Sequence, residues 1–238
     1  MARALNPRQL TGLDDTHLVT LSDGHRLQDE AARAFAALQA DARKAGFELA
    51  IASSYRSFSR QLAIWNAKVS GVRPVYDDQD RPVNLEYLSP EEQLRAILRF
   101  SALPGTSRHH WGTDLDVYDA AAVSPDYQVR LSVQEVAEGG VFDPLHCWLD
   151  TRMAAGQSQG FYRPYGTDRG GIAPERWHLS YAPLSVGCAM QLHSEILTSC
   201  WNCEDDTEEI LLRAEIEADL PGIMARYVVV PGDWCPAL

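Results

Sequence analysis

The chain predicts one α+β domain with peripheral helices over residues 1–238. Three observations predict it. Amphipathic helical stretches and short alternating strands are interleaved, with no internal repeat and no low-complexity tract. No linker is long enough to divide the chain. Its 238 residues, 45% of them hydrophobic, suffice for a substantial core.

In chain order, residues 1–27 are polar and irregular, with one short strand at His17–Leu21. A helix follows over Gln28–Lys44: Ala31, Ala32, Phe35, Leu38 and Ala42 recur at helical spacing, and Gly46 stops it. Phe47–Ser53 is mostly apolar and partly alternating, which predicts a strand. The stretch Phe58–Val69 predicts a second helix, with Leu62, Ile64 and Trp65 as its apolar points. Residues 72–88 are rich in Pro and Asp and predict a surface loop. Ser89-Pro90-Glu91-Glu92 has a capping serine, a proline in the first helical position and a glutamate three residues after the cap, so a helix should run to about Phe100.

Asp114–Tyr118 alternates and predicts a strand with Asp114, Asp116 and Tyr118 on one face. Residues 119–143 predict irregular chain, His146–Ala155 a helix, Phe161–Tyr165 a strand and Gly166–Pro174 a loop. Arg176–Tyr181 alternates as a further strand, ended by Pro183. Helices near Ala189–Thr198 and Asp206–Asp219 and a last strand at Arg226–Val230 complete the chain. The motif-bearing core covers about 28–183, with the remainder peripheral.

A formal net charge of −12 argues against a nucleic-acid partner and against docking on an anionic membrane, since both need clustered Lys and Arg. No run approaches the ~20 apolar residues of a transmembrane helix. The N-terminus lacks the apolar segment of a secretory signal, so a cytoplasmic location is expected. Five cysteines, few and odd in number, fit a reducing compartment. Cys200-x-x-Cys203 has no second such pair and is a weak metal signal.

Chemistry concentrates in Ser107-Arg108-His109-His110-Trp111-Gly112-Thr113-Asp114-Leu115-Asp116 and in Glu175-Arg176-Trp177-His178. A catalytic zinc takes three protein ligands and keeps one position open. His109 and Asp116 are too far apart for one helical turn, but a turn at Gly112 followed by a strand can bring both to one metal. His178 in the second strand would be the third ligand. Glu175, three residues earlier, can take a proton from the water that zinc acidifies.

The first stretch resembles the Ser-x-His-x-x-Gly-x-Ala-x-Asp motif of the VanY-type zinc carboxypeptidases (peptidase family M15), and the second resembles their Glu-x-Trp-His motif. Ser54-Tyr55-Arg56-Ser57 with Gln61 is similar to their Ser-x-Tyr-Arg-Ser-x-x-x-Gln segment. The three occur in the family's order. The resemblance implies a DD-peptidase fold shared with the Hedgehog signalling domain, a small antiparallel sheet with flanking helices. It implies one Zn2+ per chain held by His109, Asp116 and His178, Glu175 as catalytic base, and Arg56 binding and polarising substrate. The substrate it implies is a peptidoglycan stem peptide losing a C-terminal D-amino acid, by D,D- or L,D-cleavage.

Arg56 would stabilise the oxyanion or hold the terminal carboxylate. Tyr55, Gln61 and Ser107 are candidates for hydrogen bonds to the peptide, with Trp177 and Trp111 walling the pocket. Asp114 departs from the motif's usual Ala. It would be an acceptor behind a ligand histidine or a determinant of substrate choice, with the exchange of roles between Asp114 and Asp116 as a minor alternative. An endolysin-type endopeptidase and a non-enzymatic zinc-binding interaction domain are the competing functions.

Overall fold

The computed structural model describes residues 4–202 and 209–230. Its principal elements are α1 (Asp29–Lys44), β1 (Leu49–Ser53), α2 (Phe58–Val69), α3 (Pro90–Leu98), β2 (Asp114–Asp119), α4 (Asp143–Ala154), β3 (Phe161–Tyr162), β4 (His178–Tyr181), α5 (Ala182–Gln191), α6 (Ser194–Trp201) and α7 (Arg213–Ala218). The four strands form one antiparallel sheet in the order β1-β2-β4-β3. Ile51 lies opposite Val117, Asp116 opposite His178, and Phe161 opposite Tyr181.

Period-two alternation divides the sheet by chemistry. Leu49, Ile51, Leu115, Val117 and Leu179 pack against Phe35, Leu38 and Ala42 of α1 and Leu145 and Leu149 of α4. Each fully buried aliphatic or aromatic side chain contributes about 1.5–3 kcal/mol, so this apolar face fixes the register. The register in turn leaves Asp114, Asp116, His178 and Ser180 together on the opposite face, since Asp116 lies across from His178 and Asp114 from Ser180.

A second core joins Phe58, Leu62 and Trp65 of α2 to Leu94, Ile97 and Leu98 of α3, Leu197 and Trp201 of α6, and Ile216 of α7. Trp111 belongs to it, donating from Nε1 to the Leu10 carbonyl at 3.1 Å. The N-terminal turn Pro7–Leu10 carries a reciprocal cap between Asn6 and Gln9 and backs the segment that holds His109. Gly12 has φ +80°, and a Cβ there would lie 2.4 Å from His110 Nδ1. That close approach needs glycine.

Several expectations are corrected. The helix expected near Ala189–Thr198 is two helices, α5 and α6, with Leu192 and His193 extended between them. Pro183 does not merely stop β4: it lies in the first turn of α5, where its missing N–H costs nothing. The strand expected at Arg226–Val230 has no partner strand among the described residues; Met224–Val228 instead forms a π-helical turn continuing Leu220–Ile223. Valine-rich composition favours a strand only where a neighbouring strand can pair. The loop 72–88 contains a small hairpin, Val75–Tyr76 with Pro82–Val83, and the irregular 119–143 contains a short helix, Val133–Val136. The start of the acidic helix near Asp206–Asp219, and Cys203, lie outside the described residues. No helix among those described is long and apolar enough to cross a membrane.

Candidate active site

His109 comes from the short 3-10 turn Arg108–Trp111, which ends in Gly112 at φ +67°. That left-handed residue turns the chain directly into β2. A Cβ at Gly112 would lie 2.2 Å from Leu18 Cδ2 and 3.2 Å from the Gln28 backbone nitrogen. The turn and the β2–β4 register together bring His109, Asp116 and His178 into one cluster, with ligand atoms all within 4.8 Å of one another. His109 Nε2 is 3.3 Å from Asp116 Oδ2, and His178 Nδ1 is 3.4 Å from Asp116 Oδ1.

All three residues are buried, and Asp116 Oδ1 is left with only a long, 3.4 Å approach from His178 Nδ1. Buried polar atoms left this way cost free energy, which a cation between the three groups removes. Two imidazoles and one carboxylate, with a cavity beside them, are the donor set of a catalytic zinc with an open position. The residues therefore fit that metal.

The electrostatics agree. Burial pushes the Asp116 carboxyl up, but His109 and His178 outweigh it and hold it far below the ordinary carboxylate range. Burial pushes His178 down, yet hydrogen bonds to Asp114, Asp116 and Glu175 raise it well above the usual imidazole range. The carboxylates thus call for a positive charge at this point, supplied by a proton on His178 or by a metal that displaces it.

Asp114 lies behind His178. Its Oδ1 accepts from His178 Nε2 at 2.9 Å and from Arg108 Nε at 2.7 Å, and its Oδ2 from Thr113 Oγ1 at 2.6 Å. Burial opposes its ionisation, but Arg108 and His178 hold it down to about 2. Engaging Nε2 leaves Nδ1 of His178 directed at Asp116, so Asp114 is outside the three-residue cluster and orients one member of it. Arg108 also donates to Tyr162 Oη and Ser180 Oγ.

Glu175 places Oε2 3.5 Å from His178 Nδ1, and its own backbone N–H is held by the Tyr165 carbonyl. Arg56 donates to Gln61 Oε1 at 2.9 Å and to Ser53 Oγ at 3.4 Å, and its backbone N–H donates to the His109 carbonyl. Burial lowers Arg56, while Asp116 and Glu175 nearby favour its charge. His110 is a post rather than a ligand: Nδ1 contacts the Arg56 carbonyl at 2.6 Å, and Nε2 accepts from the Gly105 N–H. Burial pushes it down to about 3, so it is neutral.

A cavity of about 590 Å³ opens onto the cluster, with Arg56, Ser107, Glu175 and Trp177 among its walls. Trp177 also packs against Val136 and Phe142. Three residues expected at the substrate lie elsewhere. The Tyr55 hydroxyl donates to the Gly12 carbonyl, and its ring lies under the Arg26 guanidinium. Successive side chains of an extended segment point to opposite sides, so turning Arg56 inward sends Tyr55 outward. Gln61 is fully buried, gripping Arg56 on one side and the Ala102 carbonyl on the other. Trp111 is a core residue. Conversely, Lys68, Arg73, Arg130 and Tyr165 line the cavity and were not singled out in the sequence. Lys68 alone had a signal there, a charge seven residues after Gln61 on the inward face of α2.

A buried His/Asp/His cluster with a glutamate and an arginine beside it, on the polar face of a small antiparallel sheet, defines a peptide-hydrolase type of centre. The chain belongs to the VanY D-alanyl-D-alanine carboxypeptidase family, whose model matches residues 24–184, more than half its length. A Haemophilus influenzae protein, described only as uncharacterized, is 48% identical over 103 residues, covering 42% of this chain and 70% of that one. A second uncharacterized protein of the same organism is 28% identical over 129 residues, covering 53% of this chain and 93% of its own. Among solved structures, VanYB in complex with D-alanine-D-alanine aligns with a TM-score of 0.50 at 22% identity, over 81% of this chain and 91% of that one, a likeness of fold.

Proposed function

We propose that this protein is a zinc-dependent carboxypeptidase that removes a C-terminal D-amino acid from peptidoglycan stem peptides. The observation that carries the reading is the buried His109–Asp116–His178 cluster opening into a cavity beside Glu175 and Arg56. Zinc held by those three side chains would polarise the scissile carbonyl and make a water acidic near neutral pH.

The chain's own groups do the rest. Glu175 is close enough to the cluster to accept the proton of the attacking water and pass it to the leaving amine. Arg56, fixed by Gln61 and Ser53, presents a guanidinium whose position is set before substrate arrives. Asp114 holds the His178 ring in one orientation through Nε2.

The test is mass spectrometry of products from tripeptide, tetrapeptide and pentapeptide stems, with and without a chelator. Release of D-Ala that stops with the chelator is expected, and the stem that is cut distinguishes D,D- from L,D-cleavage. Glu175→Ala should keep stoichiometric zinc and lose turnover by about a hundredfold or more. Zinc bound at full stoichiometry with no release from any stem would favour a binding module instead.

A further inference from the structure

The cavity is positive in a protein that is strongly negative. Besides the metal cluster it is lined by five cations, Arg56, Lys68, Arg73, Arg108 and Arg130, against two further acids, Asp80 and Glu175, whereas the chain as a whole carries −12. Zinc's two charges would be matched by Asp116 and Glu175, and Arg108 is matched by Asp114. The four remaining cations have no carboxylate within ion-pairing distance among the described residues. One terminal carboxylate on a substrate would leave most of that charge unanswered.

The cations are also in different places. Arg56 is tied beside the metal cluster through its backbone bond to His109. Lys68 is at the C-terminal end of α2, half-buried, and its Nζ donates to Ser101 Oγ at 2.5 Å. Burial and the neighbouring Arg73 push its ammonium down to about 8. Glu175 favours its charge from a distance, but no carboxylate among the described residues pairs with it directly, so a half-buried lysine has room for one more anion.

We propose that Lys68 and Ser101, with Arg73 at the rim, form a subsite for a second carboxylate, so that the enzyme takes stem peptides whose third residue carries an acid on its side chain. In a stem peptide this chemistry separates diaminopimelate, which bears a free side-chain carboxylate, from lysine, which does not. The inference rests on the carboxypeptidase reading above.

The experiment uses the zinc-loaded full chain and matched stems, as tetrapeptides and as pentapeptides, that within each length differ only in having diaminopimelate or lysine as the third residue. Expected is a kcat/KM preference of about tenfold to a hundredfold for the dicarboxylate stem, the worth of one charge-assisted contact. Lys68→Met, folded by its melting curve, should raise KM for that stem many times more than for the lysine stem. Equal use of both stems by the unaltered protein overturns the subsite. So does a Lys68→Met variant that weakens both stems alike, because the corner then holds the terminal carboxylate. No release from any of these tetrapeptide or pentapeptide stems sinks the carboxypeptidase reading instead. Equilibrium binding of the two stems to zinc-loaded Glu175→Gln then decides the subsite: a preference that Lys68→Met abolishes supports it, and equal or absent binding overturns it.

Discussion

Replacing Asp114 by alanine should damage the protein in two separable ways. Asp114 is fully buried and is the counter-charge of Arg108, itself 3% exposed. Its removal deletes three hydrogen bonds, from Arg108 at 2.7 Å, Thr113 at 2.6 Å and His178 at 2.9 Å. Arg108 keeps Tyr162 and Ser180 but loses its only anion, and its Nη1 already lacks a partner. Breaking a buried pair from one side costs about 3–5 kcal/mol, which for a chain of this size lowers Tm by on the order of 10 °C. The second damage is to the metal: with no acceptor on Nε2, the His178 ring is no longer oriented, and zinc affinity should fall about tenfold to a hundredfold.

The double variant Arg108→Leu/Asp114→Ala separates the two. It strands no charge, so most of the lost Tm should return, while zinc affinity stays low because His178 still lacks its acceptor. The assays are thermal unfolding of the metal-free protein and competition for zinc with a chromogenic chelator. A double variant no more stable than Asp114→Ala would show that the stranded arginine is not the source of the cost. Normal zinc affinity in Asp114→Ala would refute the orienting role.

Zinc affinity should fall as pH falls. His178 is raised above its ordinary pKa, so the metal-free protein keeps that proton into the neutral range, and zinc must displace it; titrating zinc at several pH values should show up to about tenfold per unit while His178 is protonated. For the same reason the metal-free protein has the His178 contribution in full below the unfolded value of about 6.5 and loses it as pH rises through the raised folded value, which unfolding at a pH series will show. Gly112→Ala puts a side chain at φ +67° against Leu18 and Gln28; it should cost about 1–3 kcal/mol and weaken zinc binding, since the same turn sets His109 against Asp116. Gln61→Leu removes the Oε1 acceptor of Arg56 and the donor to Ala102; turnover should drop with little change in zinc content, and unchanged kinetics would show that Arg56 needs no support there.

What the sequence could carry and what it could not divide along a physical line. Alternation in Asp114–Tyr118 and Arg176–Tyr181 is imposed by the pleat, so the face bearing Asp116 and His178 was legible before any pairing was known. Gly112 was legible because few other residues take its backbone conformation. The cap of α3 was legible because Ser89, Pro90 and Glu92 satisfy its first turn locally. Tyr55 and Gln61 share a motif segment with Arg56, which suggests substrate contacts, but side-chain direction is settled by tertiary packing. The same limit hid the C-terminal elements, where Val228–Val230 has strand composition and no strand to pair with among the described residues.

Asp114 and Lys68 extend the point to charge. Each looks odd alone: an acid where the motif usually has alanine, a lysine on the inward face of a helix. A buried charge persists only with a partner, so the informative question is where the partner is. For Asp114 it is Arg108, six residues upstream inside the same motif, and together they place an ion pair behind His178. For Lys68 no acid among the described residues is in pairing contact: Glu175 acts on it only from a distance, and its close neighbours are Ser101 and Arg73. The first charge is therefore part of the frame that aims a ligand, and the second is left for a substrate to answer. A net negative chain around a cationic cavity strengthens that assignment: the protein's overall charge gives anionic peptides no general attraction, so selection has to occur inside the cavity, where these cations line the wall.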